Sequence, residues 1–345
     1  MRKKGLRKQL LIPPRPALPA AVLAAAREAA TRYARSSRAA STWRAYESDW
    51  RLFNAWCQSV KRSALPAEPS TVALFLAAEA QLGRAPSTLG RRLAAIRLMH
   101  VGARVAPPHD ALEVAEVMRG IRRAWQRPAA QKAPALDEDI QRMIDTVDRH
   151  TLRGRRDRAL LLVGFAGALR RSELVALDVE HLIVRPEGLE LRIPRSKTDQ
   201  EGAGETVVLP RVPNSPYCPV QALQAWLEAA AIPTGAVFRR LHRGDALGAS
   251  RLTAQSVALI IKDLAQNIGL DARRYAGHSL RSGFLTSAAR NRASIFKMAD
   301  QSRHKSLDVL RDYVRNEARF EDHAAAGMLQ TPDDRSRRTQ PDPQS

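Results

Sequence analysis

The helical hydrophobic period of this chain is interrupted once by a strand period, and that interruption limits what it can fold into. From about residue 19 to 127 the apolar residues recur every three or four positions, with no alternating strand pattern. Ala20 to Ala34 is an Ala-rich helix. Ser41 or Thr42 can N-cap a second helix carrying Trp43, Tyr46, Trp50, Phe53 and Trp56. Pro69 and Ser70 open a third through Leu82, Pro86 and Ser87 a fourth through His100, and Asp110 a fifth reaching Trp125. Residues 128–136, PAAQKAPAL, read as a linker. Beyond it, helices are expected from Asp137 to about Val147 and from Arg155 to Ala168. The period then drops to two in His181 to Val184, Leu189 to Ile193 and Thr206 to Leu209. Pro186–Gly188 and Ser196–Gly204 separate these runs, which predicts three antiparallel strands. After Pro219 the pattern is helical again to about residue 328.

The expected fold is therefore mainly α with a small antiparallel sheet. It comprises a helical domain over 19–127, the linker 128–136 and a mixed α/β domain over 137–328. A basic, proline-rich arm (1–18) and a polar tail (329–345) flank them, both expected to be disordered. The arm followed by Ala17 to Ala26 loosely mimics a secretion signal, but Pro13, Pro14 and Pro16 interrupt it. No run of 18 apolar residues occurs, so no membrane span is expected. Cys57 and Cys218 are too few and too far apart for a disulfide framework or a thiolate zinc site, which fits the cytoplasm.

Charge narrows the function. The formal net charge is +21, and residues 1–130 carry 23 Lys plus Arg against 8 Asp plus Glu. Such a surplus on the helical half suits a phosphate backbone; a coding bias towards arginine is the plain alternative. Arg91, Arg92 and Arg97 fall on one helix, and Arg119, Arg122 and Arg123 on another. Both sets are expected to form basic ridges that bind DNA. The aromatic stripe could stack on bases, but aromatics at helical spacing on an amphipathic helix favour core.

Chemistry-bearing residues collect in the C-terminal half, with no Gly-rich phosphate loop and no metal-ligand spacing. Four segments stand out: GALRRSEL at Gly167 to Leu174, Arg195-Ser196-Lys197-Thr198 in a turn between strands, Gly277-His278-Ser279-Leu280-Arg281 at a helix start, and His304 with Tyr313 nine residues on. In order and spacing, Arg170, Lys197, His278, Arg281, His304 and Tyr313 resemble the tyrosine recombinase (phage integrase) family, with Glu173 matching its acidic residue after the first arginine. PAEP at Pro66 to Pro69, Val72, and the stretch Val117 to Arg122 resemble the helical, SAM-like core-binding domain of the family's Cre-like branch. Ala168 stands where the family usually has glycine, and His304 where that branch carries Trp.

The resemblance implies a site-specific recombinase that cleaves and rejoins duplex DNA through a 3′-phosphotyrosyl link and a Holliday junction. It implies no cofactor, and a homo-tetramer on two DNA sites joined by exchange of a C-terminal helix (Arg315 to Met328). In the chemistry of these side chains, Arg170 and Arg281 would stabilise the charge that builds on the phosphate, as a metal does elsewhere. Tyr313 is the implied nucleophile, and its phenol needs a proton acceptor, for which His278 is the candidate. His304 would hydrogen-bond the phosphate, Lys197 would protonate the leaving 5′ oxygen, and Glu173 would orient the site. A type IB topoisomerase-like strand transferase and a catalytically silent DNA-binding relative are the alternatives.

Overall fold

Proline sets the first turn of three helices: Pro69, Pro86 and Pro219 occupy positions whose N–H a helix could not have paired. The computed structural model describes residues 19–125, 132–193, 204–304 and 306–317. The basic arm, the start of the expected linker, Lys197 with its turn, and the chain from 318 onward lie outside the described residues. The chain divides near residue 130 into two compact units.

The first unit contains α1 (Ala20–Ser36), α2 (Ala40–Ser59), α3 (Pro69–Gln81), α4 (Pro86–Gly102) and α5 (Leu112–Ala124). Its second helix opens at Ala40, before the expected Ser41 or Thr42 cap, and has no side-chain cap bond. The aromatic stripe is core. Phe53 is fully buried, its ring 5.0 Å from Phe75 and 5.7 Å from Trp50, and Trp56 lies 5.3 Å from Phe75. Val72, Leu76, Leu89, Ile96, Val114 and Met118 complete this core. His100 pins the PAEP loop to it, with Nδ1 2.8 Å from Ile96 O and Nε2 accepting from Ala67 N at 2.9 Å.

One expected ridge is partly turned inward. Arg92 is 6% exposed and pairs with the buried Glu79, so it is not a surface phosphate contact. It follows Arg91 directly, and neighbours in sequence point about 100° apart on a helix, so the two cannot share a face. Arg91 stays at the surface, but both oxygens of Asp49 hold it, at 2.7 and 3.1 Å. Arg97, Arg119, Arg122 and Arg123 are exposed as expected.

The second unit runs through α6 (Asp137–Asp145), α7 (Leu152–Ala166), α8 (Arg171–Ala176), β1 (Leu182–Val184), β2 (Gly188–Ile193), β3 (Glu205–Pro210), α9 (Pro219–Ala229), β4 (Arg239–Leu241), β5 (Leu247–Arg251), α10 (Ala254–Asn267), α11 (Ser279–Arg290), α12 (Ile295–Ser302) and α13 (Asp308–Glu317). β1, β2 and β3 form the expected antiparallel sheet, with Leu191 opposite both Leu182 and Val207. Leu189, Leu191 and Ile193 alternate inward with Val207 and Leu209, the two-residue period that buries one sheet face. The hairpin β4–β5 was not expected, since RRL and LGASR carry charges and glycine where strands are usually recognised. Helix α7 is the central rod, with Leu160, Leu161 and Val163 fully buried.

Part of the expected linker belongs to this unit. Ala133 N donates to Arg274 O at 2.7 Å and Ala135 N to Ser279 O at 3.0 Å. Gly283 allows that approach, because a Cβ there would stand 1.7 Å from Ala135 O. α11 is thereby fixed at its first two turns, where His278 and Arg281 sit. Among the described residues no helix is long and apolar enough to cross a membrane.

Candidate active site

The site grows around the C-terminal end of α7. Its last carbonyls have no partners within the helix and carry the negative end of the helix dipole. Ala166 O accepts from Gln301 Nε2 at 2.7 Å, and Ala168 O from Arg281 Nη1 at 2.7 Å. Ala168 itself is left-handed, φ 46°, which explains glycine as the usual residue there and puts roughly 1–2 kcal/mol of strain on an alanine. That turn delivers Arg170 to the N-cap of α8.

The first motif then folds on itself. Glu173, at the third position of α8, accepts from the Arg170 backbone N at 2.9 Å (Oε2) and from Arg170 Nη1 at 2.6 Å (Oε1). The Arg170 side chain remains 20% exposed, while that of Glu173 is 2% exposed. Arg281 projects from α11 and is 1% exposed. Its Nη2 stands 3.3 Å from Nδ1 of His304. Ser302 Oγ gives its proton to Met298 O at 2.5 Å and therefore accepts from His304 Nδ1 at 2.7 Å. Tyr313 comes from α13, half-buried against Leu285, Met298 and Leu310.

Burial and mutual repulsion set the protonation states. Desolvation, then Arg281, Arg170, His278 and Arg303, hold His304 down to about 4. Desolvation, then Arg281 and Arg170, lower His278, so both imidazoles are neutral at pH 7. Burial lowers Arg281 to about 10, with Arg170 and Arg303 adding to it, and it stays protonated. Burial raises the Tyr313 phenol, and the nearby Arg281 charge offsets only part of that. Burial would raise Glu173 too, but the Arg303 charge and the Arg170 hydrogen bonds outweigh it and hold it low.

Of the seven residues expected to act, six are linked through Arg281. Arg170, Glu173 and Tyr313 act on its charge and His278 and His304 feel it, while Tyr313 couples to Arg281 alone. Lys197 lies outside the described residues. Sequence reasoning missed Arg303. It is the C-cap of α12 in the left-handed region, φ 57°, with a side chain only 4% exposed. Its Nη2 is 2.5 Å from Glu173 Oε2, and its Nε is 3.3 Å from Glu205 Oε2 at the start of β3. Only its position beside His304 hinted at this; the two glutamates lie 130 and 98 residues earlier.

A mostly helical unit with buried aromatics, a second unit with a three-stranded sheet, and arginines and histidines gathered near a tyrosine define the class. The chain belongs to the phage integrase family. The phage integrase family model matches residues 136–319, and the model for its N-terminal SAM-like domain matches 32–105. It is similar to the Integrase/recombinase xerD homolog of Selenomonas ruminantium, 38% identical over 302 residues covering 87% of this chain and 88% of the relative. It is also similar to the Recombinase cre of Escherichia phage P1, 24% identical over 298 residues covering 80% and 84%. In fold it is similar to the Tn1549 transposon integrase solved with transposon right end DNA, with a TM-score of 0.58, 13% identity and coverage of 85% and 96%. XerH site-specific recombinase bound to palindromic difH substrate gives a TM-score of 0.53, 14% identity and coverage of 76% and 73%.

Proposed function

We propose that this protein recombines duplex DNA at specific sites, cutting and rejoining one strand at a time. The observation that carries the reading is the convergence of Arg170 and Arg281 with two neutral histidines and a phenol, from segments up to 143 residues apart. The guanidiniums take the two non-bridging oxygens of the scissile phosphate and stabilise the charge that grows there. Tyr313 Oη attacks phosphorus, forming a 3′-phosphotyrosyl bond as the bond to the 5′ oxygen breaks. Its proton passes to His278, which is neutral and so can accept it. The phosphate anion favours the protonated form of His304, which then donates a hydrogen bond to it. Lys197 gives its proton to the leaving 5′ oxygen. A 5′ hydroxyl from the partner duplex reverses the step, and two such exchanges pass through a Holliday junction. The residue set calls for neither metal nor ATP.

The helical domain is taken as 19–127 and the catalytic domain as 137–328, with Arg97, Arg119, Arg122 and Arg123 of the first on phosphates of the duplex. Arg91, held by Asp49, adds less. Four copies on two sites fit an exchange of the C-terminal helix. An open depression of about 360 Å³, lined by Ala293, Ile295, Arg311 and Val314, would receive it from a neighbour. The protein would act in the cytoplasm, on nucleoid DNA.

The test uses a library of nicked duplexes that trap the cut strand. Wild type is expected to give a covalent adduct that survives denaturing gels, and Tyr313→Phe none. Arg281→Ala should keep salt-sensitive DNA binding while losing about 10²–10³ in adduct rate. No wild-type adduct on any duplex, or equal adduct from Tyr313→Phe, overturns the proposal. Adducts without sequence preference would instead mark a type IB topoisomerase-like enzyme.

A further inference from the structure

We infer that Arg303 is a positioning residue that keeps the buried Arg–Glu cluster one charge positive and prevents Glu173 from closing onto Arg170. The inference rests on the recombinase reading of the site.

The oxygens of Glu173 are shared out. Oε1 accepts from Arg170 Nη1, while Oε2 accepts from the Arg170 backbone N and from Arg303 Nη2. A fork of two parallel N–H bonds from one guanidinium needs both oxygens of a carboxylate. Arg303 and the backbone occupy the second, so Arg170 is held by one nitrogen and its remaining donors stay open to a phosphate. Arg170 is accordingly the least buried of the three guanidiniums.

The charge of the cluster points the same way. Among the described residues, Arg170, Arg281 and Arg303 face Glu173 and Glu205, which leaves a single positive charge while the two histidines are neutral. A phosphodiester carries one negative charge. Without Arg303 this buried cluster would be electrically balanced, leaving only the proposed proton donor Lys197 to meet the phosphate charge, with Glu205 unpaired beside it. A purely local role does not account for the placement. A non-glycine residue in the left-handed region, buried to 4% exposure and reaching Glu173, Glu205 and the carbonyls of Gln301 (3.1 Å) and Gly167 (3.4 Å), ties α12 to α8, β3 and the end of α7 together.

The test compares adduct rates at saturating DNA on the duplex that wild type cleaves, in two forms: the normal phosphodiester, and a neutral methylphosphonate at the scissile position. On the phosphodiester, Arg303→Ala is expected to lose at least about 100-fold with DNA affinity within about threefold, the scale on which one fixed electrostatic partner acts. Arg303→Lys should fall between. Arg303→Ala combined with Glu205→Gln restores the charge count and should recover about tenfold, the scale of one surplus charge near the reacting phosphate. This double variant also removes both members of one ion pair, which protects folding. On the methylphosphonate the Arg303→Ala defect should shrink to under about tenfold, because no phosphate charge remains to be met. A wild-type rate for Arg303→Ala overturns the inference. So does a loss that follows melting temperature, is equal on both substrates and is not relieved by Glu205→Gln. If wild type forms no adduct at all, the recombinase reading itself has failed, which is a different result.

Discussion

Each unit sets three arginines around two carboxylates, and the two differ in which charges are buried. In the helical unit one buried arginine, Arg92, lies between two buried carboxylates, Asp49 and Glu79. The negative remainder is met at the surface by the half-exposed Arg91 and Arg84. In the second unit Arg170, Arg281 and Arg303 outnumber Glu173 and Glu205, and the positive remainder is left for something outside the chain. The same residue type serves as a strut in one place and as a receptor in the other. Burial distinguishes them, not the count. The surplus in the helical unit sits on the half-exposed Arg91 and Arg84, where water screens it, whereas Arg281 and Arg303 are sealed in and Arg170 is only 20% exposed.

The strongest way to break this contrast is Arg92→Ala. If Arg92 is a strut, its loss strands two buried carboxylates and costs about 3–5 kcal/mol, the usual penalty for removing one partner of a buried pair. In a unit of roughly a hundred residues that lowers the melting temperature by more than about 10 °C. An unchanged melt, with weaker and less salt-dependent DNA binding, would return Arg92 to the phosphate ridge.

A smaller effect sharpens the receptor side. His304 is held near 4 in the folded protein, against about 6.5 when unfolded. Between those values the unfolded chain binds more protons, so stability is complete above pH 6.5 and declines as pH falls towards 4. With its partial exposure and solvent screening, the loss is roughly 1–2 kcal/mol. Denaturant titrations of wild type and His304→Asn across that range should diverge by this amount. Parallel curves would mean that neither burial nor the surrounding arginines hold His304 down.

The smallest effect concerns the backbone that presents Arg170. Ala168→Gly should gain about 0.5–1 kcal/mol in a urea titration by relieving the left-handed strain. No gain would mean that the Arg281 bond to Ala168 O already compensates.

Much of this was legible in the sequence. Helical periodicity and prolines located α3 and α4 to within a residue or two, and alternation located β1, β2 and β3. Local motifs selected Arg170, Glu173, His278, Arg281, His304 and Tyr313, because each motif holds its own residue in a recognisable short context. Periodicity says which residues share a face but not which face points inward, so Arg92 was misplaced. The β4–β5 hairpin has too few apolar positions to show a period. Arg303 was hidden for another reason: its meaning depends on Glu173 and Glu205, and nothing local marks a partner 130 residues away.

The end of α7 also sets an order in time. The carbonyls of Ala166, Gly167 and Ala168 take their partners from Gln301, Arg303 and Arg281, which are 135, 136 and 113 residues later. At about 5–20 residues per second, a chain being synthesised leaves these groups waiting for roughly 6–27 s. The helical unit can be complete throughout that interval. During its synthesis the protein therefore has its framework well before its reactive centre, and a truncated product ending before residue 281 would carry the first without the second.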